Sequence, residues 1–390
     1  ARPRSNLSNV AHKGKGEMGA SGHNSADHNS GIMFTGCEFT AAVSAGASAG
    51  AGGSGGSAGH AHAHAQERRW EVVVAGKRVK TVDVHAHCIV PDAAKIISHP
   101  LEAPALLWSD VGTRLAQMDR SGVDVEALSI NPFWYRAERD AAAELIRVQN
   151  EQLVEFCAGH PDRFVAFATA ALQYPDLAAQ QVDHAVKNLG FRGVGVAGSV
   201  AGQDLADPKF HPFWAKCEEL GVLVFMHPLG TRELEPSGRL AGNGLLTNTI
   251  GNPLETTIAL SHLIFEGTLD RFPGLKICAA HGGGFLPSYA NRSDAVMTTF
   301  PDRVGPFPKK KPTEYISGGQ LYFDSIMFTG EAMRHLIAEA GIDQVLLGTD
   351  YPFPWNTAPV DHILSIPGLT DADRIKILGA TAAKLLGIAD

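Results

Sequence analysis

Short apolar runs recur along the chain from about residue 70, separated by segments of helical character. The runs are Val82–Val84, Val123–Ile130, Phe164–Ala171, Gly193–Val196, Val222–Met226, Lys276–Ala280, Gln320–Phe323 and Gln344–Leu347. Between them, Arg139–Cys157 carries Leu145, Val148, Leu153 and Phe156 at helical spacing, and Pro208–Leu220, Glu255–Leu269 and Gly330–Ala340 read the same way. Near-continuous apolar strands alternating with helices predict a parallel sheet with its helices outside. Eight such repeats predict an α/β fold, a (β/α)8 TIM barrel, as a single domain over residues 70–390. A doubly wound open sheet is the alternative, but no Gly-x-Gly-x-x-Gly turn follows the first strand.

The pattern is absent from the first 66 residues. Residues 41–59 contain only Ala, Val, Ser and Gly, and His60-Ala-His62-Ala-His64-Ala65 follows. Such a stretch buries too little apolar surface to offset the entropy of ordering it. Residues 1–66 are therefore expected to be a flexible Gly/Ala/Ser/His-rich tail. Ala63-His64-Ala65 would also suit an A-x-A cleavage site, which makes the tail a candidate export-signal remnant. No charged n-region and apolar h-region precede it, and Arg68-Arg69 follows the small-residue run rather than leading it. A cytoplasmic location is the expectation, with export of a processed form as the alternative.

The chain has 390 residues, 44% hydrophobic and 19% charged, which is ordinary for a soluble globular protein. A net charge of −8 with no basic block argues against a nucleic-acid partner. No run of about 18 apolar residues suits a membrane span. The five cysteines are widely spaced with no Cys-x-x-Cys pair, which argues against a disulfide scaffold or a zinc knuckle.

In a barrel of this kind the functional residues sit at the C-terminal ends of the strands. The first strand ends at His85 and His87, the fifth at His227-Pro228, the sixth at His281-Gly-Gly-Gly284 and the eighth at Gly348-Thr-Asp350. Side chains at i and i+2 of a strand share a face, so His85 and His87 are placed to take one metal together. Zinc or a similar divalent ion accepts imidazole nitrogen and carboxylate oxygen, and three His with one Asp leave a position for water. The ion would lower the pKa of that water toward ~7. His281 is then the spare titratable group and is assigned as general acid/base. Asp350 could act as ligand, as base toward the bound water, or as both in turn.

These positions resemble the amidohydrolase superfamily. More narrowly, Val82-Asp-Val-His-Ala-His87, Phe225-Met-His-Pro228, Asn252-Pro-Leu-Glu-Thr-Thr-Ile-Ala259, His281-Gly-Gly-Gly284 and Leu347-Gly-Thr-Asp-Tyr-Pro-Phe-Pro354 resemble aminocarboxymuconate-semialdehyde decarboxylase and its relatives. The resemblance runs from about residue 80 to the C-terminus. It implies one divalent ion, usually zinc and otherwise manganese, with His85, His87, His227 and Asp350 as ligands and His281 as the catalytic histidine. Binuclear members bridge their ions with a carboxylated lysine after the fourth strand. Here that strand ends Val194-Gly-Val-Ala-Gly198, with no lysine, so one ion is expected.

The substrate is less legible. The muconate-semialdehyde enzyme uses an arginine after the first strand to hold a substrate carboxylate, and the segment from Ile89 to Asp110 has none. Arg239 and Arg136 are the candidates to meet a carboxylate bidentately instead. Phe133, Trp134 and Phe353 are candidates for an aromatic wall against a planar substrate. The expected activity is non-oxidative decarboxylation of a small aromatic or unsaturated carboxylic acid. A metal-dependent lactone or amide hydrolase, or a hydratase, is the second reading, and a metal-storing scaffold on an inactive barrel is the third. Relatives of this kind are commonly dimers or larger, so a homo-oligomer is expected.

Overall fold

The computed structural model describes residues 69–100, 111–231, 234, 237–355 and 357–389. The expected tail, residues 1–66, lies outside them, as do residues 101–110 of the connection after the first strand.

Eight parallel strands form one sheet in sequential order. They are β1 (Val82–His87), β2 (Val125–Ser129), β3 (Phe164–Ala168), β4 (Gly193–Val196), β5 (Leu223–Met226), β6 (Lys276–Ala279), β7 (Leu321–Asp324) and β8 (Val345–Leu346). Every apolar run read from the sequence forms one of these strands. Helices alternate with them: α1 (Val111–Ser121), α2 (Arg139–Gly159), α3 (Pro175–Leu189), α4 (His211–Leu220), α5 (Asn252–Phe265), α6 (Leu286–Thr299), α7 (Gly330–Ala340), α8 (Pro359–Ser365) and α9 (Thr381–Leu386). The ends of the sheet meet where Val84 N–H donates to Leu347 O at 2.9 Å and Asp350 N–H to His85 O at 2.8 Å. A parallel bridge between Ala86 and Tyr351 continues the seam. The architecture is the (β/α)8 barrel.

Alternation along each strand divides the core in two. Val82, Val84, Val125, Ala127, Phe167, Leu223, Phe225, Cys278 and Leu346 pack inside the barrel. Ala382, Ala383 and Leu386 of α9 join that inner cluster. The outward faces, with Leu128, Val194, Val224, Ile277, Phe323 and Val345 among them, pack against the helices. Both layers are apolar because both faces of a parallel sheet are covered. Phe167 and Phe225 stack inside at 5.4 Å and an interplanar angle of 13°. Each such fully buried side chain contributes about 1.5–3 kcal/mol through burial. Phe225 also meets the edge of His85 at 5.0 Å, so the inner core forms the floor beneath the histidines.

The register of β1 departs from simple alternation. Asp83 pairs with Glu126 but Ala86 pairs with Leu128, so one extra residue sits in β1. This β-bulge reverses the parity of the strand. Val84 faces inward with the inner cluster while Ala86 packs in the outer one. His85 and His87 share a face as expected, and the bulge makes that face the inner one.

Among the described residues no helix is long and apolar enough to cross a membrane.

Candidate metal and active site

Five polar side chains from four strand ends converge at the C-terminal mouth of the barrel. The Nε2 atoms of His85 and His87 lie 2.9 Å apart. Asp350 Oδ1 is 3.1 Å from the first and 3.0 Å from the second. The rings of His87 and His227 meet at 4.6 Å, and those of His227 and His281 at 5.1 Å. One donor atom each from His85, His227, His281 and Asp350 lies within 4.8 Å of the others, an arrangement that could hold a metal ion. His87 joins the group through His85 and Asp350.

The loops that deliver these groups are held in costly conformations. His281 and Asp350 both take left-handed backbone angles, φ 55° and φ 62°. Such angles cost non-glycine residues about 1–3 kcal/mol and persist only where the surroundings enforce them. The glycine run after His281 belongs to the same turn. A Cβ at Gly284, φ 66°, would lie 2.2 Å from the Pro253 carbonyl, so only glycine lets the loop approach α5. Gly348 serves a second close approach, because its Cβ would fall 2.9 Å from that of Asp324 and 3.1 Å from that of His85.

Asp324, at the end of β7, is fully buried and was not singled out in the sequence. Its Oδ2 accepts from His85 Nδ1 at 2.5 Å and from the His281 N–H at 2.9 Å. Its Oδ1 accepts from the Gly282 and Ile326 N–H groups at 2.8 and 3.1 Å. One carboxylate therefore orients a metal-type imidazole and anchors the main chain of His281. Placing the proton of His85 on Nδ1 leaves Nε2 free as a donor toward the cluster. Ser129 Oγ lies 3.2 Å from His87 Nδ1 and bears on the other imidazole in the same way. The strand-end rule that found the histidines would also have found Asp324, the residue directly after the predicted run Gln320–Phe323. Ser129 carried no such signal.

Outside the barrel wall, Arg114 of α1 is buried, donating from Nε to Glu126 at 2.6 Å and from Nη1 to the His87 carbonyl at 2.8 Å. It props the end of β1 from behind. Asp83 faces the same outer layer, where Thr349 Oγ1 donates to it at 2.6 Å. Burial, and then the charge of Glu126 across the strand pair, push its carboxyl up to about 7.

The electrostatics of the cluster suit a cation. Burial favours neutral His85, but the Asp350 and Asp324 carboxylates override it and raise this imidazole to about 10. Burial dominates at His87, which falls to about 4, and at His227, which falls well below its ordinary value. For Asp350, burial is outweighed by the His85 charge and by hydrogen bonds from His281, His85 and His87, which hold the carboxyl well below the usual range. Two buried carboxylates thus demand positive charge, and a proton on His85 supplies it. A divalent ion would replace that proton, since imidazole ligates when neutral. Both ring nitrogens of His227 are buried without a hydrogen-bond partner. An ion would give one of them a partner, so the residues present fit a metal of this type.

Exposure separates His281 from the rest. Its side chain is 15% exposed, against 0–2% for His85, His87 and Asp350, and its Nε2 lies 3.7 Å from Asp350 Oδ2.

The residues expected to bind substrate are less united. Phe353 stands edge-on to His87 at 5.9 Å, beside the cluster. Phe133 is half-buried and stacks on His99 at 4.4 Å. Trp134 is wholly buried, and its indole N–H donates to the Ala170 carbonyl at 2.8 Å. Its ring packs into the wall beside Ala170. Arg136 and Arg239 are exposed to solvent.

The amidohydrolase family pattern matches residues 82–388, from β1 to beyond α9. The chain belongs to the amidohydrolase family. Within it, this amidohydrolase is 32% identical over 282 residues to 2-amino-3-carboxymuconate-6-semialdehyde decarboxylase of Dictyostelium discoideum, covering 72% of this chain and 77% of that protein. It is 33% identical over 291 residues to gamma-resorcylate decarboxylase of Rhizobium sp., covering 70% of this chain and 86% of that protein. Among solved structures, a dihydroxybenzoic acid decarboxylase from Polaromonas sp., with bound manganese and the inhibitor 2-nitroresorcinol, superposes with a TM-score of 0.67. The two are 27% identical, and the match covers 80% of this amidohydrolase and 97% of that chain. Its branch of the family is therefore that of the aminocarboxymuconate-semialdehyde and hydroxybenzoate decarboxylases, with the strand-end histidines in the part of the chain that matches.

Proposed function

We propose that this chain is a metal-dependent, non-oxidative decarboxylase of an aromatic or unsaturated carboxylic acid. His85, His87, His227 and Asp350 hold one divalent ion, and His281 transfers the proton. The observation that carries this reading is the convergence of three buried imidazoles, His85, His87 and His227, around buried Asp350, with a fourth, more exposed imidazole, His281, at the edge. The decarboxylase relatives support the reaction class. Three imidazoles and a carboxylate are a donor set that zinc accepts, and we take zinc as the ion. The Polaromonas relative holds manganese, which is the alternative.

When bound, the ion supplies positive charge that polarises the substrate's oxygens. The remaining chemistry belongs to the chain. His281, at the open edge, faces what enters the mouth. The His281 imidazole delivers a proton to the carbon that bears the carboxylate, and the Asp350 carboxylate beside it, with Oδ2 3.7 Å from Nε2, stabilises the protonated ring. The bond to the carboxylate carbon then breaks and its electron pair returns to the ring or diene. Carbon dioxide leaves, and a hydrogen stands where the carboxylate was. No oxidant or reductant is needed, and His281 is reprotonated from solvent. Phe225 beneath and Phe353 beside the cluster keep the site dry, which strengthens each of these interactions.

Arg136 and Arg239 remain candidates to meet the substrate carboxylate only if their loops turn toward the mouth when it binds. The barrel acts as one domain, with residues 1–66 as a dispensable tail. Exposed Tyr289 and Phe300, on and just after α6, are apolar surface of the kind a homodimer would cover.

The test is carbon dioxide release from a panel of hydroxybenzoates, aminobenzoates and muconate-type acids, with and without chelator. We expect chelator-sensitive release from at least one acid and close to one ion per chain by metal analysis. Turnover of lactones or amides without carbon dioxide release would move the protein to the hydrolase reading, and two ions per chain would overturn the mononuclear site.

A further inference from the structure

The first turn of α5 lies over the gap between two of the histidine loops. Glu255, on that turn, takes the N–H of Leu229, two residues beyond His227. Pro253 touches the other loop, since its carbonyl meets the backbone at Gly284. Asn252 begins the helix between these two anchors and belongs to its buried face, with Glu255, Thr256 and Ala259. It is 1% exposed, yet neither its amide oxygen nor its amide nitrogen has a hydrogen-bond partner. Thr231, in the loop that follows His227, is 3% exposed, and its hydroxyl is equally without a partner. Thr231 Oγ1 packs over Gly251, the residue directly before Asn252.

An amide and a hydroxyl buried side by side without partners destabilise the fold. Packing therefore gives no reason for either. They sit where the first turn of α5 is tied to the loop after His227, through Glu255 and Leu229, and to the loop after His281, through Pro253 and Gly284. Groups kept unsatisfied at the mouth of a site are satisfied by what the site binds. Both are neutral, and each can donate and accept. A ring hydroxyl matches them, because it can donate to the Asn252 oxygen while accepting from Thr231 or the Asn252 nitrogen.

We propose that Asn252 and Thr231 form the recognition pair for a neutral hydrogen-bonding substituent, such as a phenolic hydroxyl, on the acid that this enzyme takes. The proposal rests on the decarboxylase reading and narrows its substrate to hydroxylated acids. A substrate lacking that group leaves the pair as unpaired as it is in the free protein, so it gains nothing there and binds more weakly than one that carries it.

The test is equilibrium binding of benzoate and of 2-, 3- and 4-hydroxybenzoate to the metal-loaded full chain, with Asn252→Leu and Thr231→Val beside the wild type. The wild type is expected to bind one hydroxy isomer about tenfold more tightly than benzoate. Both variants should reduce that ratio to about one to two while leaving benzoate affinity within about twofold. Melting temperature gives an independent reading. Asn252→Leu should melt at the wild-type temperature or above, because the amide it removes has no partner. No hydroxyl preference in the wild type, or a preference that both variants keep, overturns the assignment. So does a lower melting temperature with loss of every probe in both variants, which would make the pair structural. Preference that depends on the pair, without carbon dioxide release from any acid, would sink the decarboxylase reading and leave the recognition pair standing.

Discussion

Asp324→Asn turns one oxygen of a fully buried carboxylate into an amide nitrogen at nearly constant volume. Four donors face that carboxylate, two on each oxygen. If the nitrogen faces His85 and His281, two N–H groups lose their acceptor at about 1–3 kcal/mol each. If it faces Gly282 and Ile326, those two lose theirs, and the bond to His85 survives only as a neutral one. That last change costs about 1 kcal/mol more, the difference between charge-assisted and neutral hydrogen bonds. The first orientation predicts a loss of about 2–6 kcal/mol of stability in metal-free protein, and the second about 3–7 kcal/mol. Metal affinity should fall by about 10–100-fold, or about 1.4–2.7 kcal/mol, because the imidazole of His85 is no longer fixed with Nε2 toward the cluster. The assays are denaturant unfolding without metal and competition with a chromophoric chelator for zinc or manganese. A variant that binds metal within about threefold of the wild type would refute the orienting role of Asp324.

His281→Ala is expected to retain metal and lose about 10²–10⁴-fold in turnover, the usual value of a general acid; metal loss in that variant would make His281 a ligand. Deleting residues 1–66 should leave the melting transition and the activity unchanged, and an inactive or unfolded product would refute the tail reading. Burial raises the thiols of Cys88 and Cys157 to about 12 and lifts those of Cys217 and Cys278 well above the ordinary thiol value. These four should resist a thiol reagent at about pH 8 until the protein is denatured, because the reactive thiolate is scarce. Rapid modification of any one in the native protein would contradict that burial.

Much of the architecture was legible in the chain. The strands are short and nearly all apolar because parallel strands are buried on both faces, and that made all eight visible. The strand-end rule then isolated His85, His87, His227, His281 and Asp350, since metal-ligating residue types directly after apolar runs stand out locally. Asp324 obeys the same rule but is a lone acid, and nothing near it in sequence says that it will face His85 from 239 positions away. An aromatic residue such as Trp134, in a loop after a strand, suits a substrate wall and a packed wall equally, and its contact with Ala170 is visible only in three dimensions.

By itself, then, the sequence determined the alternation of strand and helix, the five side chains that converge at the barrel mouth and the family to which the chain belongs, because each is a local pattern of residue types. Which face of β1 the histidines occupy was decided in three dimensions. Plain alternation would put His85 and His87 on the side of Asp83, against the helices. The bulge opposite Glu126 and Leu128 turns them into the barrel, and that depends on pairing with β2, which no local pattern records. The surroundings of the histidines were decided there too, by Asp324 binding His85 and the His281 backbone together and by the exposure that His281 alone among the five retains.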